Sequence, residues 1–294
     1  MTLPQRVTLI DVCLRDGLQD ESVFVPTQAK LQLLDALARA GVLEAEVTSF
    51  VHPKWIPPLA DADALAARLP NLPPMRFWAL VPNLRGYERS GNAPLFGITT
   101  VLSATDAHNQ ANLNCTSQES LRRLKPVIAA AKADGRSVRA AISVVFGCPF
   151  EGEVPLQRVV DLCEQLTAAG ADELVLCDTI GVAHPRQVAE VIGQVRARLP
   201  EMPLTLHLHD ARGFGLANML AGLQEGITRF DTSLGGFGGC PYAPGAPGNL
   251  ATERANTFLT AMGIATDIDQ AAIEAAAVQA KSAVAAGEPI DTKA

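Results

Sequence analysis

The stretch ELVLCDTIGVAHPRQVAEVIGQVRARLPEMPLTLHLHD, residues 173–210, decides the fold class. Its two ends, ELVLCD (173–178) and LTLHLH (204–209), are short apolar runs of the length typical of buried strands. Between them, PRQVAEVIGQVRARL carries apolar residues at three-to-four spacing, which indicates an amphipathic helix. A strand, a helix and a second strand in this order predict a βαβ unit with parallel strands.

The same alternation extends over the whole chain. Four more stretches have helical spacing, and several end in glycine: TQAKLQLLDALARAG, SLRRLKPVIAAAKADG, PLQRVVDLCEQLTAAG and GLANMLAGLQEG. Eight runs are strand candidates: VTLIDV (7–12), LEAEVTS (43–49), RFWALV (76–81), GITTVLS (97–103), VRAAISVV (138–145), ELVLCD (173–178), LTLHLH (204–209) and TRFDTSL (228–234). This pattern predicts an α/β protein with a closed (β/α)8 TIM barrel. The alternative, an open doubly wound sheet, is disfavoured because no GxGxxG motif follows the first run.

The chain continues past the eighth strand candidate. A glycine-rich loop over residues 235–249 leads into ATERANTFLTAMG and then an alanine-rich segment near 268–286, which predicts a C-terminal helical extension over 250–286. No linker, charge block or low-complexity stretch interrupts the sequence. We therefore expect a single barrel domain over residues 1–294.

Composition limits the classes of partner. Of the 294 residues 48% are hydrophobic, and the net charge of −7 gives no basic surface for nucleic acid. Neither a signal-peptide pattern nor a run of about 18 apolar residues is present, so we expect a cytoplasmic protein that does not bind membranes. The cysteines show no metal or disulfide spacing and are expected to be reduced thiols: Cys13, Cys115, Cys148, Cys163, Cys177 and Cys240.

Polar residues concentrate at the ends of two strand candidates, where barrels of this kind place their reactive groups. The first strand candidate is followed by CLRDGLQDE (13–21), which sets Arg15 beside Asp16. The alternative to a functional pair is a surface ion pair in a turn. The seventh carries His207 and His209, which point to the same side of a strand. Two imidazoles and a carboxylate suit a divalent cation, although a pair of histidines in a strand also occurs in ordinary packing.

The glycine-rich loop, GGFGGCPYAPGAPGN (235–249), is the third candidate. Its glycines allow close approach to a ligand and its prolines restrict it, so it could act as a lid; the alternative is a flexible connector. Cys240 in this loop could titrate and donate a proton. The other cysteines are interpreted as core or incidental residues, and His52, His108 and His184 as lone loop histidines.

Several motifs are informative only in combination. They are RDGLQ (15–19), EVTSFV (46–51) with PKW (53–55), NLNC (112–115), FGCPFEG (146–152), DTIG (178–181), HLHD (207–210) and GGCP (238–241) through GNL (248–250). Together they resemble the 3-hydroxy-3-methylglutaryl-CoA lyase family, part of a barrel superfamily that includes isopropylmalate synthase. The match spans nearly the whole chain.

The resemblance implies a carbon–carbon lyase that cleaves 3-hydroxy-3-methylglutaryl-CoA to acetoacetate and acetyl-CoA in a metal-dependent retro-Claisen reaction. It implies an acyl-CoA substrate. It further implies that Asp16, His207, His209 and Asn249 are ligands of Mg2+ or Mn2+, with Asp16 or His207 as the base that removes the hydroxyl proton.

Further roles follow from the same analogy. Arg15 would stabilise the enolate oxygen of the departing acetyl-CoA, and Cys240 would protonate its carbanion. Glu46 would position ligands or substrate, while Asp178 would support the site from the end of the sixth strand. Barrels of this kind often dimerise through outer helices, so a homodimer is one expectation.

Some positions depart from the family pattern. They are Asp11, Leu14, Asp20, Arg254 and the segment 211–214. Because Arg212 could meet an additional carboxylate, citramalyl-CoA and a longer branched 3-hydroxyglutaryl-CoA stay open as substrates.

Two other functions stay open as well. One is a synthase that condenses acetyl-CoA with a 2-oxo acid, and the other is a non-catalytic scaffold on the same barrel. Contacts to the CoA phosphates are suggested by charge alone, at Lys54, Arg85, Arg122 and Arg123.

Overall fold

The protein is described here by a computed structural model that covers residues 3–239 and 248–290. Its centre is a closed barrel of eight parallel strands, in which the first strand pairs with the last. The strands are β1 (Thr8–Asp11), β2 (Glu44–Ser49), β3 (Arg76–Leu80), β4 (Gly97–Ser103), β5 (Ser137–Ser143), β6 (Glu173–Asp178), β7 (Leu204–Leu208) and β8 (Arg229–Thr232). The predicted (β/α)8 barrel is confirmed.

Helices lie between the strands and after the last one. They are α1 (Thr27–Arg39), α2 (Ala62–Ala66), α3 (Leu84–Ser90), α4 (Asp106–Leu113), α5 (Ser117–Ala133), α6 (Leu156–Ala168), α7 (Pro185–Arg198), α8 (Gly215–Gln224), α9 (Thr252–Ala261) and α10 (Gln270–Ala285). The sequence did not predict α2, α3 and α4, because helices of 5, 7 and 8 residues complete too few turns to show a period.

Helices α9 and α10 occupy the region where a C-terminal helical extension was predicted, and α10 packs against α1. Beyond α10, the short strand Glu288–Pro289 pairs antiparallel with Val23–Phe24. This pairing places Ile290 at the wall of the central cavity. Among the described residues, no helix is long and apolar enough to cross a bilayer.

The main core lies between the barrel and its helices. Helix α7 shows how the sequence forms this layer, because its buried residues Val188, Val191, Ile192 and Val195 follow the helical repeat and form one stripe. Full burial of each such side chain stabilises the fold by about 1.5–3 kcal/mol.

The interior of the barrel, in contrast, contains charged residues. Arg139 on β5 is fully buried and donates hydrogen bonds to Glu173 at 2.8 Å and to Asp231 at 2.5 Å. Arg229 contacts Glu173 as well, and it donates to both carboxylate oxygens of Glu44. These five residues form a ladder of alternating charge, called the interior charge ladder below.

We expect the substitution Arg139→Met to destabilise the protein. It removes the buried cation that lies between Glu173 and Asp231, and breaking a buried pair in this way costs about 3–5 kcal/mol. Urea unfolding measures the change. The control is Arg122→Met, since Arg122 is 72% exposed in a surface pair with Glu119 and such pairs contribute little. Equal unfolding midpoints for the two variants would contradict the structural role of the ladder.

Candidate metal centre and active site

A cavity of about 1050 Å³ opens at the end of the barrel where the strands terminate. Residues from the first, seventh and eighth strands or their following loops line it, among them Asp16, His207, His209 and Asp231. This is the rim at which enzymes with this fold place their reactive groups.

The segment after β1 places Arg15 and Asp16 on the cavity. It forms a single turn of π-helix, Cys13–Gly17, closed by a hydrogen bond from Gly17 N to Val12 O at 3.1 Å. The interpretation as an exposed ion pair in a turn is wrong, since the Arg15 side chain is only 11% exposed. Gly17 is required here because a Cβ would lie 2.8 Å from the Ser233 hydroxyl.

Three ligand atoms converge at this point. His207 Nε2 lies 3.1 Å from His209 Nε2, and the Oδ2 atom of Asp16 lies 3.5 Å from the first and 3.7 Å from the second. Both histidines are buried, and all three ligand atoms lie within 4.8 Å of one another. A half-buried carboxylate and two buried imidazole nitrogens that face a common point form a possible metal site.

Asn249 lies against this cluster. Its Nδ2 donates to Asp16 Oδ2 at 2.7 Å and to Phe237 O at 3.0 Å, whereas its buried Oδ1 has no partner among the described residues. A Cβ at Gly238, where φ is +106°, would collide with the Asn249 amide. Glycine at this position therefore allows Asn249 to lie close to the backbone of residue 238. An amide oxygen without a donor is a ligand type that hard divalent cations accept, so the residues present fit such an ion.

The charges in the cluster are strongly coupled. Burial alone raises the pKa of Asp16, but the charge of Arg15 and hydrogen bonds from both histidines hold it well below its usual range. Burial alone lowers the pKa of His207, but hydrogen bonds to Asp16 and Asp231 outweigh it and raise the pKa to about 9. Positive charge between these carboxylates is therefore favoured, whether a proton or a cation supplies it.

Arg15 is held in a fixed orientation. Its Nε donates to Glu46 Oε2 at 2.5 Å, and its Nη1 donates to Asp16 Oδ1. These carboxylates raise the pKa of the guanidinium against the effect of burial. Glu46 is therefore connected to the cluster by its hydrogen bond with Arg15, which in turn binds Asp16.

Asp178, another residue named from the sequence, has different surroundings. Asp178 accepts hydrogen bonds from Val182 N at 2.9 Å and from Ala183 N at 3.2 Å, so it closes its own loop. Cys240 and most of the glycine-rich loop lie outside the described residues.

The structure corrects several of the other predictions. His108 is not a loop residue, since it lies buried in α4 and lines the cavity. Arg212 is exposed and is not part of the cavity wall. Among the residues suggested for CoA phosphates, Arg85 and Arg123 line the cavity, whereas Lys54 and Arg122 do not.

Asp231 is a residue of the site that was not predicted from the sequence. Its Oδ2 lies 3.3 Å from His207 Nδ1, and Arg139 binds its other oxygen. The charge of Arg139 and the hydrogen bond from His207 lower the pKa of Asp231 in spite of burial. One signal in the sequence could have indicated it. Arg229 and Asp231 are two residues apart on one strand, as His207 and His209 are, so their side chains point to the same side of that strand.

Asp11 at the end of β1 joins three segments of the rim. Its carboxylate accepts hydrogen bonds from Cys13 N at 3.0 Å, Leu234 N at 2.9 Å and Thr252 Oγ1 at 2.7 Å. These donors belong to the π-helical turn and to the two ends of the glycine-rich region. Asp11 therefore fixes the turn that carries Asp16 relative to the segments around Asn249.

Fold and site together define a class, that of (β/α)8 barrel proteins with a possible metal site of two histidines and one aspartate at the rim. Within this class, a family model described as HMGL-like matches residues 6–279. The chain therefore belongs to the HMGL-like family, and the resemblance found in the sequence is confirmed.

Individual relatives agree with this assignment. A hydroxymethylglutaryl-CoA lyase of Bacillus subtilis is 45% identical over 91% of this chain and 90% of its own. The crystal structure of a Bacillus subtilis HMG-CoA lyase has a TM-score of 0.95 at 42% identity and covers 100% of this chain and 98% of that one.

A third relative has a bound ligand. An Acinetobacter baumannii HMG-CoA lyase in complex with coenzyme A and 3-methylmalate has a TM-score of 0.91 at 34% identity and covers 99% of this chain and 95% of that one. The prediction that the protein is a carbon–carbon lyase is confirmed by the relatives as a group.

We expect Asp11 to make stability depend on pH. Burial raises its pKa from 3.8 to about 7, so the folded chain binds this proton more tightly than the unfolded chain. Its contribution to stability is complete below the unfolded pKa and is lost as pH rises toward 7. Between pH 5 and 7, the free energy of unfolding should fall relative to that of Asp11→Asn by roughly 1.4 kcal/mol per pH unit. Urea titrations of both proteins measure it, and parallel pH profiles would contradict it.

Proposed function

We propose that the protein cleaves 3-hydroxy-3-methylglutaryl-CoA to acetoacetate and acetyl-CoA. The observation that carries the proposal is the convergence of Asp16, His207 and His209 beside Arg15 at the barrel rim. Membership of the HMGL-like family and relatives named HMG-CoA lyase support this substrate. A cytoplasmic location and a homodimer stay predictions from sequence.

Asp16, His207, His209 and Asn249 would hold a divalent cation, for which we propose Mg2+ or Mn2+. The family supports a metal-dependent reaction, and the nitrogen and oxygen ligands of the cluster are compatible with either ion. When bound, the ion would lower the pKa of the substrate hydroxyl and polarise the carbonyl that forms.

Asp16 and His207 are the two candidates for the base that removes the hydroxyl proton. Both carboxylate oxygens of Asp16 already accept hydrogen bonds, one from Arg15 and one from Asn249. The pKa of Asp16 is also held well below its usual range, which makes it a weak proton acceptor. The Nε2 atom of His207 lines the cavity and faces the cluster, where it would bind the cation, so it could accept the proton only while it is not a ligand.

Arg15 would neutralise the enolate oxygen that develops when the carbon–carbon bond breaks. Glu46 binds Nε and Asp16 binds Nη1, while Nη2 has no hydrogen-bond partner within the described ranges. A cation fixed in advance and aimed at the developing charge stabilises a transition state effectively.

The departing carbanion needs a proton, and we propose that Cys240 donates it. Gly239, the residue before Cys240 in the sequence, lines the cavity. Closure of the glycine-rich loop would bring the thiol to the substrate and exclude water.

The acyl-CoA would lie along the cavity toward Arg85 and Arg123. Both arginines are suited to bind the phosphates of CoA, since guanidinium groups bind phosphate through paired hydrogen bonds. This arrangement would leave the acyl end at the metal cluster.

The proposal is tested with metal-stripped protein supplied with Mg2+ or Mn2+. We expect acetyl-CoA and acetoacetate from 3-hydroxy-3-methylglutaryl-CoA, and a loss of at least about a hundredfold in kcat for His207→Ala. Arg122→Ala, on the surface and outside the cavity wall, is the control and should keep full activity. Cleavage of citramalyl-CoA alone would identify citramalyl-CoA, and not 3-hydroxy-3-methylglutaryl-CoA, as the substrate. No cleavage of either compound would contradict the lyase proposal.

Arg15→Lys should lower kcat by about 10²–10³ and change KM little, because its interaction forms with the enolate. Lysine keeps the charge but cannot contact Glu46, Asp16 and the substrate oxygen at once. The matched variant is Arg123→Lys, which should raise KM for the acyl-CoA at unchanged kcat. Steady-state kinetics separate the two, and an effect of Arg15→Lys on KM alone would contradict its role.

A further inference from the structure

Asp231 connects the metal cluster to the interior charge ladder. It lies on β8 with 4% of its surface exposed, and its two carboxylate oxygens have different partners. Oδ2 faces His207 Nδ1 at 3.3 Å, while Oδ1 accepts from Arg139 Nη2 at 2.5 Å. No part of the proposed reaction uses Asp231.

The contact to His207 determines which ring nitrogen carries the proton. A neutral imidazole has one N–H group and one lone pair. Because an anionic carboxylate can only accept, it favours the proton on Nδ1, which leaves the lone pair on Nε2. That nitrogen lies 3.1 Å from His209 Nε2 and 3.5 Å from Asp16 Oδ2, so the lone pair is directed into the cluster.

Asp231 is itself held in place. Arg139 is fully buried and also donates from Nε to Glu173 Oε1 at 2.8 Å. The same Glu173 oxygen accepts a hydrogen bond from Thr205 Oγ1 at 2.6 Å. Rotation of the Asp231 carboxylate away from His207 would break a buried ion pair, so the side chain has a single favourable orientation.

The other histidine lacks such support. His209 Nδ1 is buried and has no hydrogen-bond partner in the part of the chain that the structure describes. Within the described ranges, His207 is therefore the histidine of the pair whose Nδ1 atom is held by a carboxylate.

We propose that Asp231 is a positioning residue that holds His207 in the tautomer and ring orientation needed to bind a cation, and that Arg139 holds Asp231. The inference rests on the proposed metal site. It assigns a functional role to one end of a charge ladder that otherwise stabilises the barrel.

The test compares Asp231→Asn with Glu173→Gln. Both change one carboxylate that binds Arg139, but only Asp231 contacts a metal-cluster residue. We measure Mn2+ binding to the metal-free proteins by calorimetry, with unfolding free energies measured in parallel. Asp231→Asn should weaken Mn2+ binding about 10–100-fold, as expected when the partner of a metal-binding histidine is lost. Glu173→Gln should bind Mn2+ like the wild type, even if it is less stable.

A second readout reports the tautomer. In 15N NMR spectra of the metal-free proteins recorded at a pH above the His207 pKa of about 9, the proton of neutral His207 should lie on Nδ1 in the wild type and shift toward Nε2 in Asp231→Asn. If Asp231→Asn does not fold, the double variant Arg139→Met/Asp231→Asn removes both buried charges of the pair. It should bind Mn2+ as weakly as expected for Asp231→Asn.

The outcomes separate this inference from the proposed function. Wild-type Mn2+ affinity in Asp231→Asn, or in the double variant, would overturn the positioning role and leave the metal site intact. An equal loss of affinity in Asp231→Asn and Glu173→Gln would overturn it as well, because it would indicate a general structural effect. Failure of the wild type to bind Mn2+ would overturn the metal site itself.

Discussion

The pairing of buried charges is the constraint on which the rest of this structure depends. An ionised group inside a barrel is tolerated only when an opposite charge or a cation compensates it. The interior charge ladder satisfies this condition from Glu44 to Asp231 through Arg229, Glu173 and Arg139. At the rim, Arg15 compensates two carboxylates, yet Asp16, His207 and His209 still present their ligand atoms to one another. The same requirement that stabilises the barrel thus produces a site that attracts a cation.

Much of the fold could be predicted from periodicity alone. GITTVLS and ELVLCD correspond residue for residue to β4 and β6, because strands covered on both faces read as continuous apolar runs. The unpredicted helices α2 to α4 belong to the connections after β2, β3 and β4. They are short, and tertiary packing rather than an amphipathic period decides whether such segments form helices.

The site was predicted less completely than the fold. Asp16, His207, His209 and Asn249 lie together as the motifs indicated, because the barrel brings the ends of distant strands to one rim. Asp231 was not predicted, because a single carboxylate within a strand has no motif around it. The π-helical turn at Arg15 could not be predicted either, since it depends on contacts with residues more than 200 positions away, such as that between Asp11 and Leu234.

The central claim is that these side chains form one cation site. An Mn2+-soaked crystal measured for anomalous scattering at the manganese edge tests it most directly. The account predicts a single strong peak in each chain, coordinated by Asp16, by the Nε2 atoms of His207 and His209, and by Asn249 Oδ1. A crystal that shows no peak at millimolar Mn2+, or a peak bonded to other residues, would contradict it.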